Sequence, residues 1–521
     1  MRIGAIDVGT NSVHLLVADI HGDGTWDVVE KDRIQVELGA GGLDVHKLSP
    51  AAWQRGLDAM KRFAEAARTL DVEDIHCAAT SAVREAENGA DWCREVRNAT
   101  GVHVRVIPGR EEGRLIYLGA RADLDFTRGR VLLMDLGGGS TELISCDSES
   151  PVTIESLPLG HIRLTEEFPA PLTKDDLNRL RQRIKAELKP LLNEIKPRSV
   201  ATLVGTSGTL RLLARMATMA RGDRMPEHSH GLVLYRGELD TLVRQLRSTP
   251  ADQLGSLPGM DPRRQRTITA GAVLVQQVMR AFDKSRLVTS ERSLRDGLIV
   301  DWILHNRPEI DLLSSVPDPR DRSIQRLMDR FGADPVHAKT VQERSLELFD
   351  ALAPLHRLGF VERRVLGCAA RVHDIGHYIG GASHNKHGAY LIRNSRLHGF
   401  TAPEIDLLAL VVRYHRGGKP KPEHPEMATL SPDDQQKVRV LAGILRVADG
   451  LDRSHSQPVS RIEVELGDGR VLLRAFAVKE AHLERWATER RKDLLESALR
   501  QDVRVEVVAE RAATTVPGHR R

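Results

Sequence analysis

"DLGGGSTEL", Asp135 to Leu143, nearly repeats a phrase close to the N-terminus, "AIDVGTNSVHLLVAD", Ala5 to Asp19. Each writes an acid, a glycine turn, a small hydroxyl or amide residue and an apolar run, and the two acids, Asp7 and Asp135, stand 128 positions apart (135 minus 7). The apolar runs before them, "IGAI" and "VLLM", suit buried strands, so each copy reads as strand, tight turn, strand. Gly9, and Gly137, Gly138 and Gly139, supply backbone freedom and let main-chain amides approach an anion; Thr10, Asn11, Ser140 and Thr141 add donors. An acid at the end of a buried strand is costly without a partner. Asp7 and Asp135 are therefore expected to meet a metal ion or water in a shared cleft, with two facing loops clamping a phosphate.

The rest of the chain gives this pair its setting. At 521 residues it is long enough for several domains, and 41% hydrophobic with 28% charged residues is the balance of a soluble globular protein. Four scattered cysteines argue against a disulfide framework or thiolate zinc site and suit a reducing, cytoplasmic setting. The opening "MRIGAIDVGT" meets Asp7 before any long apolar run, so neither a signal peptide nor a membrane span is expected. A net charge of +4 decides little; what matters is where the basic residues gather.

Two α/β halves follow from the pattern. "LSPAAWQRGLDAMKRFAEAARTL" has Ser49 as N-cap and Pro50 at the first helical position, with Trp53, Leu57, Met60, Ala64 and Ala67 at helical spacing. "IHCAAT" and "VHVRVIP" read as strands emptying into "TSAVREAENG" and "GREEGRLIYLGA", which puts Arg84, Glu111 and Glu112 at strand ends, where ligands of open α/β sheets bind. In the second half, "VATLVGTSGTLRLLARMA" gives a strand, a turn carrying Gly205, Ser207 and Gly208, and a helix whose N-terminus favours anions. "SERSLRDGLIVDWIL" closes the region as a helix.

In order and spacing, "AIDVGTNSVHLLVAD", "TSAVREAENG", "VIPGREEGRLIYLGA", "DLGGGSTEL", "VGTSGTLRLLA" and "LRDGLI" resemble the exopolyphosphatase and guanosine pentaphosphate phosphohydrolase (Ppx/GppA) phosphatases over about the first 305 residues, and more loosely to about residue 510. The resemblance implies two ribonuclease-H-like lobes, similar in fold to actin and the sugar kinases, at residues 1–125 and 126–305. An HD-like helical domain at 306–455 and a small α+β domain at 456–510 follow. It implies release of terminal phosphate from inorganic polyphosphate, guanosine pentaphosphate or both, exopolyphosphatase activity favoured, by a homodimer. Glu112 matches the catalytic base and Glu142 a carboxylate holding the water or metal. Asp7, Asp135 and Glu142 would hold magnesium, while Arg84, Thr10, Asn11, Gly137, Gly138, Gly139, Ser140, Gly205, Ser207 and Gly208 would hold phosphate. Taken alone, Glu112 reads as one acid of a helix start and Arg84 as a solvated charge; the resemblance moves both to the cleft. Glu111 stays a solvated acid and His14 a packed histidine. His161 stands where the family more often has a small residue, a departure that bears on chain-length preference. The competing readings are an ATP-using kinase on the actin-like fold, which the Glu111–Glu112 loop opposes, and a non-catalytic polyphosphate or alarmone sensor.

The last third turns helical after "RPEIDLLSSVPDPRD", a proline-bearing linker. "DPVHAKTV", "RVHDIGHYIGG", "SHNKHGAYLI", "VVRYHRGG" and "LRVADGLDRSH" resemble the HD-type metal-dependent phosphohydrolases, with His337, His373, Asp374 and Asp449 as ligands and His387 and His415 as additional ones. Such nitrogen and oxygen donors suit manganese or iron. The corresponding domain of the exopolyphosphatase family often lacks these ligands, so a second metal centre here is a departure. "RIEVELGDGRVLLRAFAVKEAHLERWATERRKDLLESALRQDVRVEVV" reads as hairpin, helix and strand. Arg490 to Lys492, "RNSR" from Arg393 and "RYHRGGKPK" from Arg413 are expected to form a basic track. With aromatics at 4%, the track suits polyphosphate better than nucleic acid.

Overall fold

The "RIGAIDV" strand is followed after three residues by a second apolar run, which folds back on it; three strands later the chain repeats the manoeuvre. In the computed structural model, which describes residues 1–509 apart from 23, 43–44, 125, 127–128, 148–149, 224–228, 307–317 and 396, these runs are β1 (Arg2–Val8) and β2 (Ser12–Ile20). With β3 (Trp26–Gln35), β4 (Asp74–Ala79) and β5 (Val104–Val106) they form one sheet in the order β3-β2-β1-β4-β5. A second sheet contains β6 (Arg130–Leu136), β7 (Thr141–Cys146), β8 (Pro151–Leu157), β9 (Val200–Gly205), β10 (Val233–Tyr235) and β11 (Arg286–Thr289), in the order β10-β11-β9-β6-β7-β8. Both are antiparallel meanders with parallel strands added beyond the first strand of the meander, and the second sheet ends in β10, which runs antiparallel to β11. The chain thus carries two mixed α/β sheets of the same plan.

The helix Pro50–Thr69 begins where the Ser49 hydroxyl accepts from the Ala52 amide, and it buries Leu57, Met60, Ala64 and Ala67. Trp53 is only half-buried and donates through its indole N–H to Glu95.

Two later helices are exchanged between the sheets. The helix Gly109–Ala120 follows the first sheet in sequence yet packs on β7 and β8, where Gly113 leaves room for Ile154. The helix Leu294–Asn306, expected to close the second half, packs on β1 and β2 and donates from Trp302 to Asp74. The two helices cross in backbone contact. A Cβ on Gly119 would lie 2.3 Å from the Ser293 carbonyl oxygen, and one on Gly297 1.8 Å from that of Leu115, so only glycine fits either position.

By its contacts the chain divides into two compact units, Met1–Pro319 and the residues from Arg320 onward. Most of the expected proline linker, 307–317, lies outside the described residues. In the second unit the helices Pro335–Ala351, Phe360–Val372, His384–Arg393, Ala402–Tyr414 and Pro432–Gly450 surround a core that includes Val341, Leu366, Val412 and Ile444. After them come β12 (Val459–Gly467), β13 (Arg470–Ala477), the helices His482–Arg491 and Asp493–Leu499, and β14 (Asp502–Ala509), which pairs parallel to β13. The apolar face of this small sheet, with Val471, Leu473, Val503 and Val505, is continuous with the helical core. Among the described residues it packs as a layer on that core. Among the described residues no helix is long and apolar enough to cross a membrane.

Candidate active site

The two hairpins close identically. Gly9 N–H donates to the Ser12 carbonyl (3.1 Å) and Gly137 N–H to that of Ser140 (2.9 Å), and Asp7 pairs in register with His14 as Asp135 does with Glu142. They also meet. A Cβ on Gly138 would lie 2.9 Å from Thr10 Cβ, and one on Gly139 2.3 Å from Ser81 Oγ and 3.0 Å from Thr10 Oγ1. None of Gly9, Gly137, Gly138 and Gly139 has a positive φ. The expectation of backbone freedom is therefore corrected: at Gly138 and Gly139 it is the missing side chain that counts, because it lets one turn sit on the other.

Carbonyls and amides of these turns are treated differently. The Gly137 and Gly138 carbonyls accept from the His161 and Ile162 amides (both 3.0 Å), and Arg163 Nε donates to the Gly139 carbonyl (2.9 Å). In the first turn the Asn11 carbonyl accepts from the Val36 (3.0 Å) and Glu37 (2.9 Å) amides, and that of Thr10 from Gly39 (3.0 Å). The amides of Thr10, Asn11, Gly138, Gly139 and Ser140 donate to no acceptor among the described residues. Such a set of outward N–H groups is a cradle for anionic oxygen.

Four carboxylates stand around it. Glu112, in the first turn of its helix, is 7% exposed and accepts from Arg84 Nη1 (2.9 Å), which also donates to the Ile107 carbonyl (3.0 Å). Burial, and then the Glu142 carboxylate, push Glu112 well above the usual carboxylate range against the pull of Arg84. Glu142 is wholly buried; its Oε1 accepts from Ser156 Oγ (2.7 Å), whereas its Oε2 has no partner. Burial and then Asp135 raise it to about 7. Asp7 is raised to about 7 by burial and by Asp135, with Arg295 opposing. Asp135 is raised by burial and accepts from Thr206 Oγ1. Hard oxygen donors with an orphaned Glu142 oxygen fit a magnesium ion, which Asp7, Asp135 and Glu142 would hold.

The turn after β9 adjoins Asp135 through Thr206. Gly205 is packed under Leu210 and Leu287, and its carbonyl accepts from the Ser290 amide (2.8 Å); its bareness serves the strand-to-helix turn. Ser207 caps the helix Gly208–Arg221 by accepting from Leu210 N (3.3 Å). Gly208 makes room for the Arg264 guanidinium, which stands 2.2 Å from where a Cβ would be and donates to Thr209 Oγ1 (3.1 Å). Glu111 is paired with Arg114 (2.7 Å) rather than solvated. His161 is buried, and burial with the charges of Arg264 and Arg33 lowers it to about 3, so it is neutral.

The sequence reading missed an arginine cluster. Arg33, Arg211, Arg264 and Arg295 all act on His14, which burial and their charges hold well below its usual value. Arg33 donates to Ser12 Oγ (3.1 Å), Arg211 to the Thr206 carbonyl (2.9 Å), and Arg295 Nε is buried without a partner. Burial and then Arg33 bring Arg264 down to about 10. Asp261 acts on Arg33 and Arg264, and Glu291, Asp135 and Asp296 on Arg211. The one signal was "DPRRQRT", Asp261–Thr267. On the other flank a groove of about 600 Å³ is lined by Arg84 and Arg110 together with Glu85, Glu155 and Glu194, and none of its lining residues is aromatic.

The pattern of the Ppx/GppA phosphatase family matches residues 16–306, more than half of the chain. The chain belongs to this family. The pattern of Ppx/GppA phosphatase domain III matches residues 320–500. A guanosine-5'-triphosphate,3'-diphosphate pyrophosphatase of Aeromonas hydrophila is 28% identical over 85% of this chain and 86% of its own length. Exopolyphosphatase 1 of Mycobacterium tuberculosis is 33% identical over 58% of this chain and 88% of its own. Among solved structures, an exopolyphosphatase from Cytophaga hutchinsonii is 27% identical with a TM-score of 0.55, covering 59% of this chain and 98% of that one. The Aquifex aeolicus Ppx/GppA protein is 28% identical with a TM-score of 0.51, covering 59% and 99%. This Ppx/GppA phosphatase is a hydrolase with the family's lobes.

The expected basic track is partly paired with acids, while Arg416 and Lys421 are exposed and have no ion pair among the described residues. Arg393 pairs with Asp406 (3.4 Å), Arg413 with Glu426 (3.5 Å), Lys419 with Asp493 (3.0 Å), Arg491 with Asp449, and Lys492 with Glu489 and Glu496 (both 3.2 Å). Arg490 lies over the Trp486 ring, and Arg396 lies outside the described residues.

Proposed function

We propose that this phosphatase releases terminal phosphate from inorganic polyphosphate or guanosine pentaphosphate, with polyphosphate the favoured substrate. The observation that carries this is the pairing of the open amides of two facing hairpins with Glu112 at their edge. The names of the Aeromonas and Mycobacterium relatives support both substrates. The cluster of Arg33, Arg211, Arg264 and Arg295, and a groove without an aromatic, favour a repeated anion over a base or a nucleic acid. The terminal phosphoryl oxygens are received by the amides of Thr10, Asn11, Gly138, Gly139 and Ser140. Glu112 accepts the proton of the attacking water as its oxygen bonds to phosphorus and the bridging P–O bond opposite breaks, releasing phosphate and the shortened anion. Arg84 orients Glu112 and neutralises phosphate charge. Glu142, Asp7 and Asp135 would hold a magnesium ion, which when bound would supply charge neutralisation. A cytoplasmic homodimer completes the reading carried over from the family.

Phosphate release by malachite green from long-chain polyphosphate and from guanosine pentaphosphate, with magnesium, tests it. Glu112→Gln is nearly isosteric but takes no proton, so turnover falls by about 100-fold to 10,000-fold while substrate still binds. Near-normal turnover of that variant, or no release from either substrate by the parent, overturns the proposal.

A further inference from the structure

Six side chains from five segments of the second unit converge far along the sequence from the hairpins. His337 lies on the helix Pro335–Ala351, His373 and Asp374 end the helix Phe360–Val372, His384 opens its helix, His415 ends the helix Ala402–Tyr414, and Asp449 lies near the end of Pro432–Gly450. Adjacent residues on a continuous helix diverge by about 100°. The helix stops at Val372, and the turn that follows lets His373 and Asp374 face one point.

We propose that this unit holds two divalent transition-metal ions bridged by Asp374. The two oxygens of that carboxylate face two different donor sets. Oδ2 lies 3.4 Å from His373 Nε2 and 3.9 Å from His337 Nε2, and both of these nitrogens approach Asp449 Oδ1 (3.9 and 3.8 Å). Oδ1 lies 3.4 Å from His384 Nε2 and 3.8 Å from His415 Nε2, with His377 Nε2 at 3.7 Å on the exposed side. Metal bonds of about 2.1 Å set neighbouring ligand atoms roughly 3 to 4 Å apart, which is the spacing found in both sets.

The far side of each ligand is already committed. Nδ1 of His373 meets the Ala370 carbonyl (2.8 Å), that of His415 the Val412 carbonyl (2.6 Å), that of His384 the Gly381 carbonyl (3.2 Å), and that of His337 the buried Asp452 (2.8 Å). Carbonyl and carboxylate partners put the proton on Nδ1 and leave the Nε2 lone pair pointing inward, the arrangement metal-bound histidines adopt. The inward atoms have little else to bind: Nε2 of His337 and of His373 are buried without a hydrogen-bond partner. His384 and His415 aim Nε2 at each other across 3.3 Å, so two lone pairs face one another unless a cation lies between them. Arg491 occupies Asp449 Oδ2 and leaves Oδ1 for the centre. Nitrogen and oxygen donors in this mixture take manganese, iron, cobalt or zinc in preference to magnesium. The Asp374 side chain is 28% exposed, which leaves one side open to water or an anionic ligand.

The sequence reading placed His387 in this set and omitted His384. His387 stands three residues further along the same helix, about 4.5 Å up its axis, and belongs to neither donor set around Asp374.

Full-length protein loaded with manganese, desalted and analysed by plasma mass spectrometry tests the proposal. About two ions per chain are expected, with Asp374→Asn losing both, and His373→Ala and His415→Ala each losing one. His387→Ala should keep both. Cobalt loading of the parent, read by its visible absorption, checks the result without any variant. Retention of less than about a tenth of an equivalent by the folded parent overturns the centre, and so does Asp374→Asn holding both ions. A single ion lost equally in the His373 and His415 variants overturns the bridged pair. Magnesium-dependent phosphate release should persist in every variant, since these side chains belong to another unit.

Discussion

Replacing Glu142 by glutamine should stabilise the first unit at high pH while removing its activity. The carboxyl is lifted from 4.5 to about 7 and is wholly buried. A carboxyl whose folded value is raised holds its proton more tightly in the folded than in the unfolded chain. Stability therefore falls as pH rises from about 4.5 to about 7, and the loss is complete above that. The cost is under about 1 kcal/mol at pH 5 and about 3 kcal/mol at pH 8. Glutamine does not titrate, so its stability relative to the parent should improve by about 2.5 kcal/mol between those pH values, whatever its own hydrogen-bond fit. For a unit of this size, near 2.1 cal/mol/K per residue, that is about 4 °C. Differential scanning calorimetry in chelator would read it, following the transition of the first unit. Magnesium at pH 8 should narrow the gap by stabilising only the parent. A gap independent of pH, or one that moves in the parent's favour at pH 8, would refute the assignment of Glu142 as a buried acid forced to ionise.

Gly139→Ala drives a methyl into Ser81 Oγ and Thr10 Oγ1; it should cost about 1–3 kcal/mol and most of the turnover, and Ser81→Gly should restore part of both in the double variant. A single variant with parental melting and activity would separate the two turns. Arg264→Ala should raise KM for polyphosphate by roughly 10-fold to 100-fold, with a smaller change in kcat and a shallower salt dependence. An unchanged KM would remove the arginine cluster from substrate binding.

The repeat around Asp7 and Asp135 was legible because a hairpin is local: acid, glycine and apolar runs lie within a dozen residues, and the register follows from alternation. Ser49 and the buried stripe behind it were legible for the same reason. The strand pattern put Glu112 and Arg84 at strand ends, but their roles came only through resemblance, since neither has a local pattern that separates it from a solvated charge. Arg33, Arg211, Arg264 and Arg295 come from four distant segments that only the fold gathers, so no window of sequence contains the cluster. The basic runs differ in the opposite direction. Runs such as "RYHRGGKPK" are visible, but their acidic partners, Glu426 and Asp493, are not adjacent to them. His384 and His387 share a helix face, and their composition alone does not tell which reaches Asp374.

The exchanged helices bear on how the chain is made. The first sheet, complete in its strands by Val106, has part of its apolar cover in the helix Leu294–Asn306. On the ribosome that sheet must wait nearly two hundred further residues for its lid, while the helix Gly109–Ala120 waits for β7 and β8. Neither half reaches its native state as a nascent fragment, and a stalled chain ending before Leu294 presents Ile3, Leu16 and Ala18 without their partner. Such chains are natural clients for chaperones. Once closed, the two halves unfold together, because opening either one strips a helix from the other.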